Sequence, residues 1–371
     1  SILSGGNYNV VVGDEAGTAI TTGDSNTAVG YQSSPSNTTT SLNTTIGYRA
    51  GFNNTGSSNV LVGSNIGAVN VMSGSNNTAV GASALNANST GAGNSAFGIN
   101  SLLSNTTGTA NNAFGSGALD ANTTGGSNTA MGQAALGANT TADNNTAVGY
   151  SAGAAVTTGI QNTLIGGLTG DALTSGDNNT ALGYLALSTD TLGDRNVALG
   201  VKALSSQNFT TSTDSYNVAV GMNAGYAITT GTQNVIIGGL AGDSLTDADF
   251  NIAIGHTALG LDTLGSRSVA IGHSTLDAQN FTTATNTYNV AVGHAAGSGV
   301  TTGVQNTLIG GLAGDVLSDA DFNVAIGYAA LSGDTLGSSS VAIGREALTT
   351  QNFTTATNTY NTAVGFQSGK S

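Results

Sequence analysis

Two sets of residues in this sequence have types and spacings suited to chemistry. The carboxylates of GDSLTDADFN (Asp243, Asp247, Asp249) and GDVLSDADFN (Asp315, Asp319, Asp321) lie close enough in sequence to share Ca²⁺, a hard cation that takes several oxygen ligands. The matching segment GDALTSGDNN keeps only Asp171 and Asp177, so a solvated acidic turn is the competing reading. The second set is aromatic: Phe209 with Tyr216, Phe281 with Tyr288, and Phe353 with Tyr360, each pair among Asn, Gln and Thr. Such rings stack on sugars, and a repeated site gains avidity, so these six residues are the expected glycan contacts. The alternative is that the rings tuck against the protein and cover its side.

Other groups carry less chemistry. His256, His273 and His294 each follow a repeat glycine where other copies have Tyr31, Tyr48, Tyr150, Tyr184 or Tyr328, which reads as an amphipathic filler. A ring of three such His supplied by a trimer would bind a metal or an anion. GGLTG and GGLAG lack the Lys and the following helix of a phosphate cradle. With no Cys in the chain and no convergent acid, base and nucleophile, the expectation is a protein that is not an enzyme and needs no cofactor, Ca²⁺ aside.

A repeat positions all of these residues. A five-residue box, typically NTAVG or NVAIG, recurs 21 times, with its glycines running from Gly13 to Gly365. The spacing is 17 residues, with one 16 and one 18 that cancel. It becomes 21 from Gly200 to Gly221, Gly272 to Gly293 and Gly344 to Gly365, where four extra residues carry the aromatic pairs. Insertions in solenoids map to loops on one face, often the binding face. From Gly149 a longer period of 72 residues appears, marked by NTLIGGLTG, NVIIGGLAG and NTLIGGLAG, then DTLG, then QNFTT. Plain units thus occupy residues 1–149 and a threefold super-repeat occupies 150–371, in one continuous register.

Numbering the box from its first residue as position 0, position 3 is apolar in every copy, position 1 is mostly Thr, Val or Ile, and position 2 is mostly Ala. Alternation with β-branched residues predicts a strand. Positions 1, 3 and 5 then share a bulky face, expected to fill the coil, and positions 0, 2 and 4 share a flat Asn-Ala-Gly face, expected to meet solvent or another backbone. Ala-Leu or Ala-Gly at positions 7 and 8 and a Thr-Thr-Gly turn complete each unit. The predicted fold is all-β, a parallel β-solenoid or β-roll of about 21 coils. At a strand spacing of about 4.8 Å it is a rod on the order of 100 Å long. Nineteen of the 21 residues at position 0 are Asn, and Ser268 and Ser340 are the others, which predicts an Asn ladder along the stack. A homotrimer about a long axis would bury the flat face.

Composition excludes the main rivals. Of 371 residues 56 are Gly, one is Pro, none is Trp and 7% are charged, against about 25% charged in an ordinary soluble domain. Glycine is not at every third residue, so collagen is excluded, and regularly placed Ala, Val, Ile and Leu argue against disorder. A net charge of −14 without a basic cluster disfavours nucleic acid, since phosphates need Lys and Arg. No apolar run approaches the ~20 residues of a membrane-spanning helix. No signal peptide stands at Ser1, so a mature or internal segment of something longer is expected.

The phrases NTAVGYQS, NTAVGYSAG, NVAIGYAAL and SVAIGREAL resemble the NSVAIG-type head repeats of trimeric autotransporter adhesins. NNAFGSGALDANTTGGSNTAMGQAALGANTTADNNTAVGYSAG is still more similar to the 17-residue NTAxGYxAL…NTTG repeats of phage tail-fibre proteins, and the likeness spans essentially the whole chain. This resemblance implies a left-handed, homotrimeric β-roll that projects from a virion or cell surface and attaches to host glycans or a protein receptor. The adhesin heads repeat at about fourteen residues, which favours the fibre relatives. Two other functions compete with an extracellular fibre: a purely structural filament, and an ice-binding solenoid suggested by Thr at position 12 in fourteen of the twenty inter-box segments.

Overall fold

The computed structural model describes residues 5–370. It is an all-β parallel β-solenoid of twenty-one coils at a period of about 17 residues, each box contributing one three-residue strand. Contacts divide the chain into two units, Ser1–Asn179 and Thr180–Ser371. In the first, ten box strands from Val10–Val12 to Thr163–Ile165 pair in parallel, for example Thr78↔Ser95 and Ala79↔Ala96. In the second, eleven strands from Thr180–Leu182 to Thr362–Val364 do the same. Three two-stranded pairs are added there, Gly193–Asp194 with Thr213–Asp214, Gly265–Ser266 with Thr285–Asn286, and Gly337–Ser338 with Thr357–Asn358.

The strand faces are the reverse of the sequence expectation. Position 2 is the buried residue, Ala79, Ala96, Ala113 and Ala130 being fully inaccessible, while positions 1 and 3 on either side are half-buried or exposed. The bulky face therefore points outward and the Asn-Ala face lines the interior. The reason is width. The box glycines adopt φ near +130°, and a Cβ on Gly81 would stand 2.5 Å from the carbonyl oxygen of Gly98 in the next coil. The coil is also narrow, the Asn145 amide spanning it to the Gly159 carbonyl, so position 2 is Ala in most coils and a buried Leu or Ile only where Gly stands at position 8, as Leu164 with Gly170 and Ile236 with Gly242.

The Asn ladder is present. In the first unit each box Asn from Asn26 to Asn179 donates its main-chain N–H to the side-chain oxygen of the box Asn one coil earlier, as in Asn145 to Asn128 (2.9 Å) and Asn162 to Asn145 (2.9 Å). The Asn145 amide nitrogen crosses its own coil to the Gly159 carbonyl at 2.8 Å. These buried groups are thereby satisfied, as buried polar groups must be. In the second unit Ser268 Oγ meets Thr287 Oγ1 at 2.5 Å, and Gln279 Nε2 donates to the same Ser at 2.9 Å.

Three interior positions exchange volume. Ten coils hold Ala at position 2, Leu at position 8 and a polar residue at position 11, as in Ala79, Leu85 and Asn88, all buried. The GGLTG and GGLAG coils invert this, with Leu164, Gly170 and Leu173, or Leu308, Gly314 and Leu317. A Cβ on Gly170 would lie 2.8 Å from Leu164 Cδ2, and one on Gly153, a coil earlier, 2.8 Å from Leu164 Cδ1. One Leu thus fills the space vacated at two glycines, and the density typical of protein interiors is kept.

Candidate functional site

The insertions are seated from inside. Asp262, at position 11 of its coil, is fully buried, and its Oδ1 accepts the N–H groups of Gly265 (3.1 Å) and Phe281 (3.1 Å). Its Oδ2 accepts Nε2 of Gln279, which occupies position 11 one coil on. Asp190 with Gln207 and Phe209, and Asp334 with Gln351 and Phe353, repeat the arrangement. Placed 17 residues apart, the DTLG aspartate and the QNF glutamine form one polar seat for the loop. Both phrases are visible in the repeat, but their facing each other is not.

This seat splits each predicted aromatic pair. Phe209 and Phe281 are buried and Phe353 is half-buried, while Tyr216, Tyr288 and Tyr360 are exposed. Each Tyr stands at the residue just before the box. Position −1 takes a left-handed conformation coil after coil (Arg195 φ 60°, Tyr216 49°, Phe250 59°, Arg267 65°, Tyr288 51°), costly for bulky residues and held here by the stacked coils. At this position the second unit carries Arg195, Tyr216, Gln233, Phe250, Arg267, Tyr288, Gln305, Phe322, Ser339 and Tyr360. Aromatics thus occupy every second coil, about 10 Å apart at the strand spacing. Sequence reasoning missed Phe250 and Phe322, which lie in uninserted coils; a shared offset from the box was the available signal.

The row has internal chemistry. The guanidinium carbon of Arg267 lies 4.6 Å from the Phe250 ring centre and 6.0 Å from that of Tyr288, and its Nε donates to Asn286 Oδ1 at 3.0 Å. The Arg195 guanidinium lies 5.6 Å from the Tyr216 ring and forms an ion pair with Asp214.

The six acidic residues are dispersed. Asp247 accepts the Thr230 hydroxyl at 2.7 Å and Asp249 the Thr232 N–H at 2.7 Å, each reaching back one coil, and Asp319 and Asp321 do the same to Thr302 and Val304. Asp243 and Asp315 stand at position 9, where burial pushes their carboxyls above the ordinary value near 3.8. Among the described residues no group of three or more His, Cys, Asp or Glu is placed to hold a metal.

The three His are exposed and stacked along consecutive coils, with ring centres 5.5 Å apart from His256 to His273 and 5.4 Å from His273 to His294. Parallel imidazoles of one stack do not converge on a point. At position 12 the Thr hydroxyls are engaged within the ladder, Thr106 donating to the Thr123 carbonyl and Thr123 to that of Thr140, both at 2.9 Å. No protein-family model matches the chain, and a search of curated proteins returned no relative.

Proposed function

We propose that this chain is a non-enzymatic segment of an extracellular fibre, of the tail-fibre or adhesin kind its repeats resemble, that attaches to a cell surface through glycans. The supporting observation is the outward row at position −1 of the second unit, where Tyr216, Phe250, Tyr288, Phe322 and Tyr360 stand exposed on alternate coils. Single aromatic contacts with sugars are weak. A row of them fixed on one scaffold raises the effective concentration at each successive contact. The position-12 Thr hydroxyls donate to main-chain carbonyls, which favours this reading over ice binding, for which a regular array of free hydroxyls is needed.

The proposal includes self-association as a homotrimer, with its surface reassigned. The Asn-Ala face is interior, so the face left for a second copy is the apolar one at positions 1 and 3. Binding of the full chain to an array of cell-surface glycans tests the function. The triple variant Tyr216→Ala, Tyr288→Ala, Tyr360→Ala is expected to lose array binding by about tenfold or more with its melting temperature kept. Unchanged binding, or thermal hysteresis in an ice assay, would overturn the reading. Mass measurement in solution addresses the trimer, and a monomer sinks it.

A further inference from the structure

We infer that Arg267 is the carboxylate-binding residue of a site for an acidic sugar, formed with Phe250, Asn286 and Tyr288. The inference rests on the glycan reading and deepens it by naming a sugar class and one locus.

The argument comes from comparing the three super-repeats. Residues 195, 267 and 339 are equivalent, as are 214, 286 and 358 on the short strand of the insertion. In the first copy Arg195 is neutralised by Asp214. In the third, Ser339 replaces the Arg, opposite Asn358. Only the second keeps the Arg and replaces its acid by an amide, Asn286. The ion pairs among the described residues are Arg195 with Asp214 and Glu346 with Arg345 and Lys370, so the Arg267 charge is uncompensated. Asp249, one coil earlier, accepts the Arg267 main-chain N–H on its main-chain oxygen, while its carboxylate serves Thr232.

The guanidinium is also held in place. Phe250 in the coil before and Tyr288 in the coil after lie on its two sides, and Asn286 takes Nε. An Arg fork fixed between rings, with its remaining N–H donors pointing away from Nε, matches the two oxygens of a carboxylate. The exposed Tyr288 ring beside it offers an apolar contact for the C–H face of the sugar bearing that carboxylate. A chain of net charge −14 repels polyanions at long range. The site therefore suits a single acidic residue within a mostly neutral glycan.

The test is an NMR titration of the full chain with glucuronate, with glucose and acetate as parallel arms, following the Arg267 side chain and the Tyr288 ring. Glucuronate is expected to shift both signals saturably, more tightly than either glucose or acetate, and less tightly as salt is raised. Arg267→Gln is expected to weaken it by about tenfold or more, the loss of a charge-assisted pair, and Arg267→Lys by less, keeping charge without the fork. The inference falls if glucose matches glucuronate or if Arg267→Gln changes nothing; acetate matching glucuronate removes the sugar. If Arg267→Gln leaves glucuronate untouched while the triple Tyr variant abolishes array binding, this inference fails and the glycan reading stands. The reverse result separates them the other way.

Discussion

The two units share an interior and differ outside it. In both, Ala at position 2 and Asn at position 0 are buried and the box glycines bring successive coils together. On the outward face of the sheet, position 1 of the first unit is mostly polar, as in Thr27, Thr44, Thr78, Ser95, Asn112, Thr129, Thr146 and Thr163, whereas the second unit has Val or Ile in eight of its eleven strands. Position −1 of the first unit holds Tyr8 and Leu42 among mostly small or polar residues such as Ser25, Ser58, Asn76, Ala110 and Ser127, against the regular aromatic and Arg row of the second. At position 11 the first unit stacks neutral amides, Asn105 on Asn88 and Asn122 on Asn105 at 2.9 Å, where the second seats a loop on a buried Asp. The inside is common to both units, and what distinguishes them lies outside.

Changes to the shared interior should cost most and cost the same in either unit. Gly81→Ala combines a backbone collision with a φ unsuited to L residues, and at least about 3 kcal/mol of destabilisation is expected in chemical denaturation. A matching loss for Gly255→Ala would sustain the comparison. Asn145→Ala leaves the Asn162 N–H and the Gly159 carbonyl unpaired inside, with about 2–5 kcal/mol expected. Leu164→Ala opens space against two glycines, and about 2–5 kcal/mol is expected for the cavity.

Next in size comes Asp262→Ala, which strips the seat of Phe281. About 3 kcal/mol is expected, with hydrogen exchange rising in the 280–288 loop while the first unit stays protected. Uniform exposure along the chain would show that the loops are not separable from the coil.

A smaller effect is the response to pH. Burial raises the carboxyls of Asp120 and Asp171 in the first unit and Asp243, Asp277 and Asp315 in the second; at Asp277 the charges of His273 and His256 work against it. A raised folded-state value means the unfolded chain releases the proton more readily. The stabilising contribution is complete below the ordinary value near 3.8 and is lost as pH rises through the raised one. Melting temperature should therefore rise on acidification from neutrality toward that value, so far as these groups govern it. Asp171→Asn and Asp315→Asn, each removing the charge of a carboxylate whose own Oδ1 is buried without a partner, should raise the neutral melting temperature and flatten that slope in both units alike. Least of all, Thr129→Val, which imitates the second unit on the outer face, should change stability by less than about 0.5 kcal/mol.

The period, the strand, the parallel stack and the Asn ladder were all legible, because each depends on which residue types recur and at what interval. The inward face was not. A five-residue alternation is compatible with either orientation, and the choice depends on coil width, seen in cross-coil contacts such as the Asn145 amide on the Gly159 carbonyl. For the candidate site, Tyr216, Tyr288 and Tyr360 were legible because insertions draw attention to them. Phe250 and Arg267 were not, since their position varies freely in the first unit and carries no pattern until the coils are stacked.

The irregular coil lengths have a consequence of their own. Segments of 16, 18 and 21 residues interrupt the count of 17, yet the strands remain aligned across each of them, Thr44↔Val60, Val60↔Thr78 and Val197↔Val218. The sheet acts as a clock that resets phase once per turn, so a residue gained or lost in one connection produces a local bulge and no accumulated drift. A helical coiled coil given one extra residue carries the error along its remaining length. Here the error is erased within one coil, and the cost of a new loop is confined to the one neighbour that seats it, as Asp262 of the coil before seats Phe281.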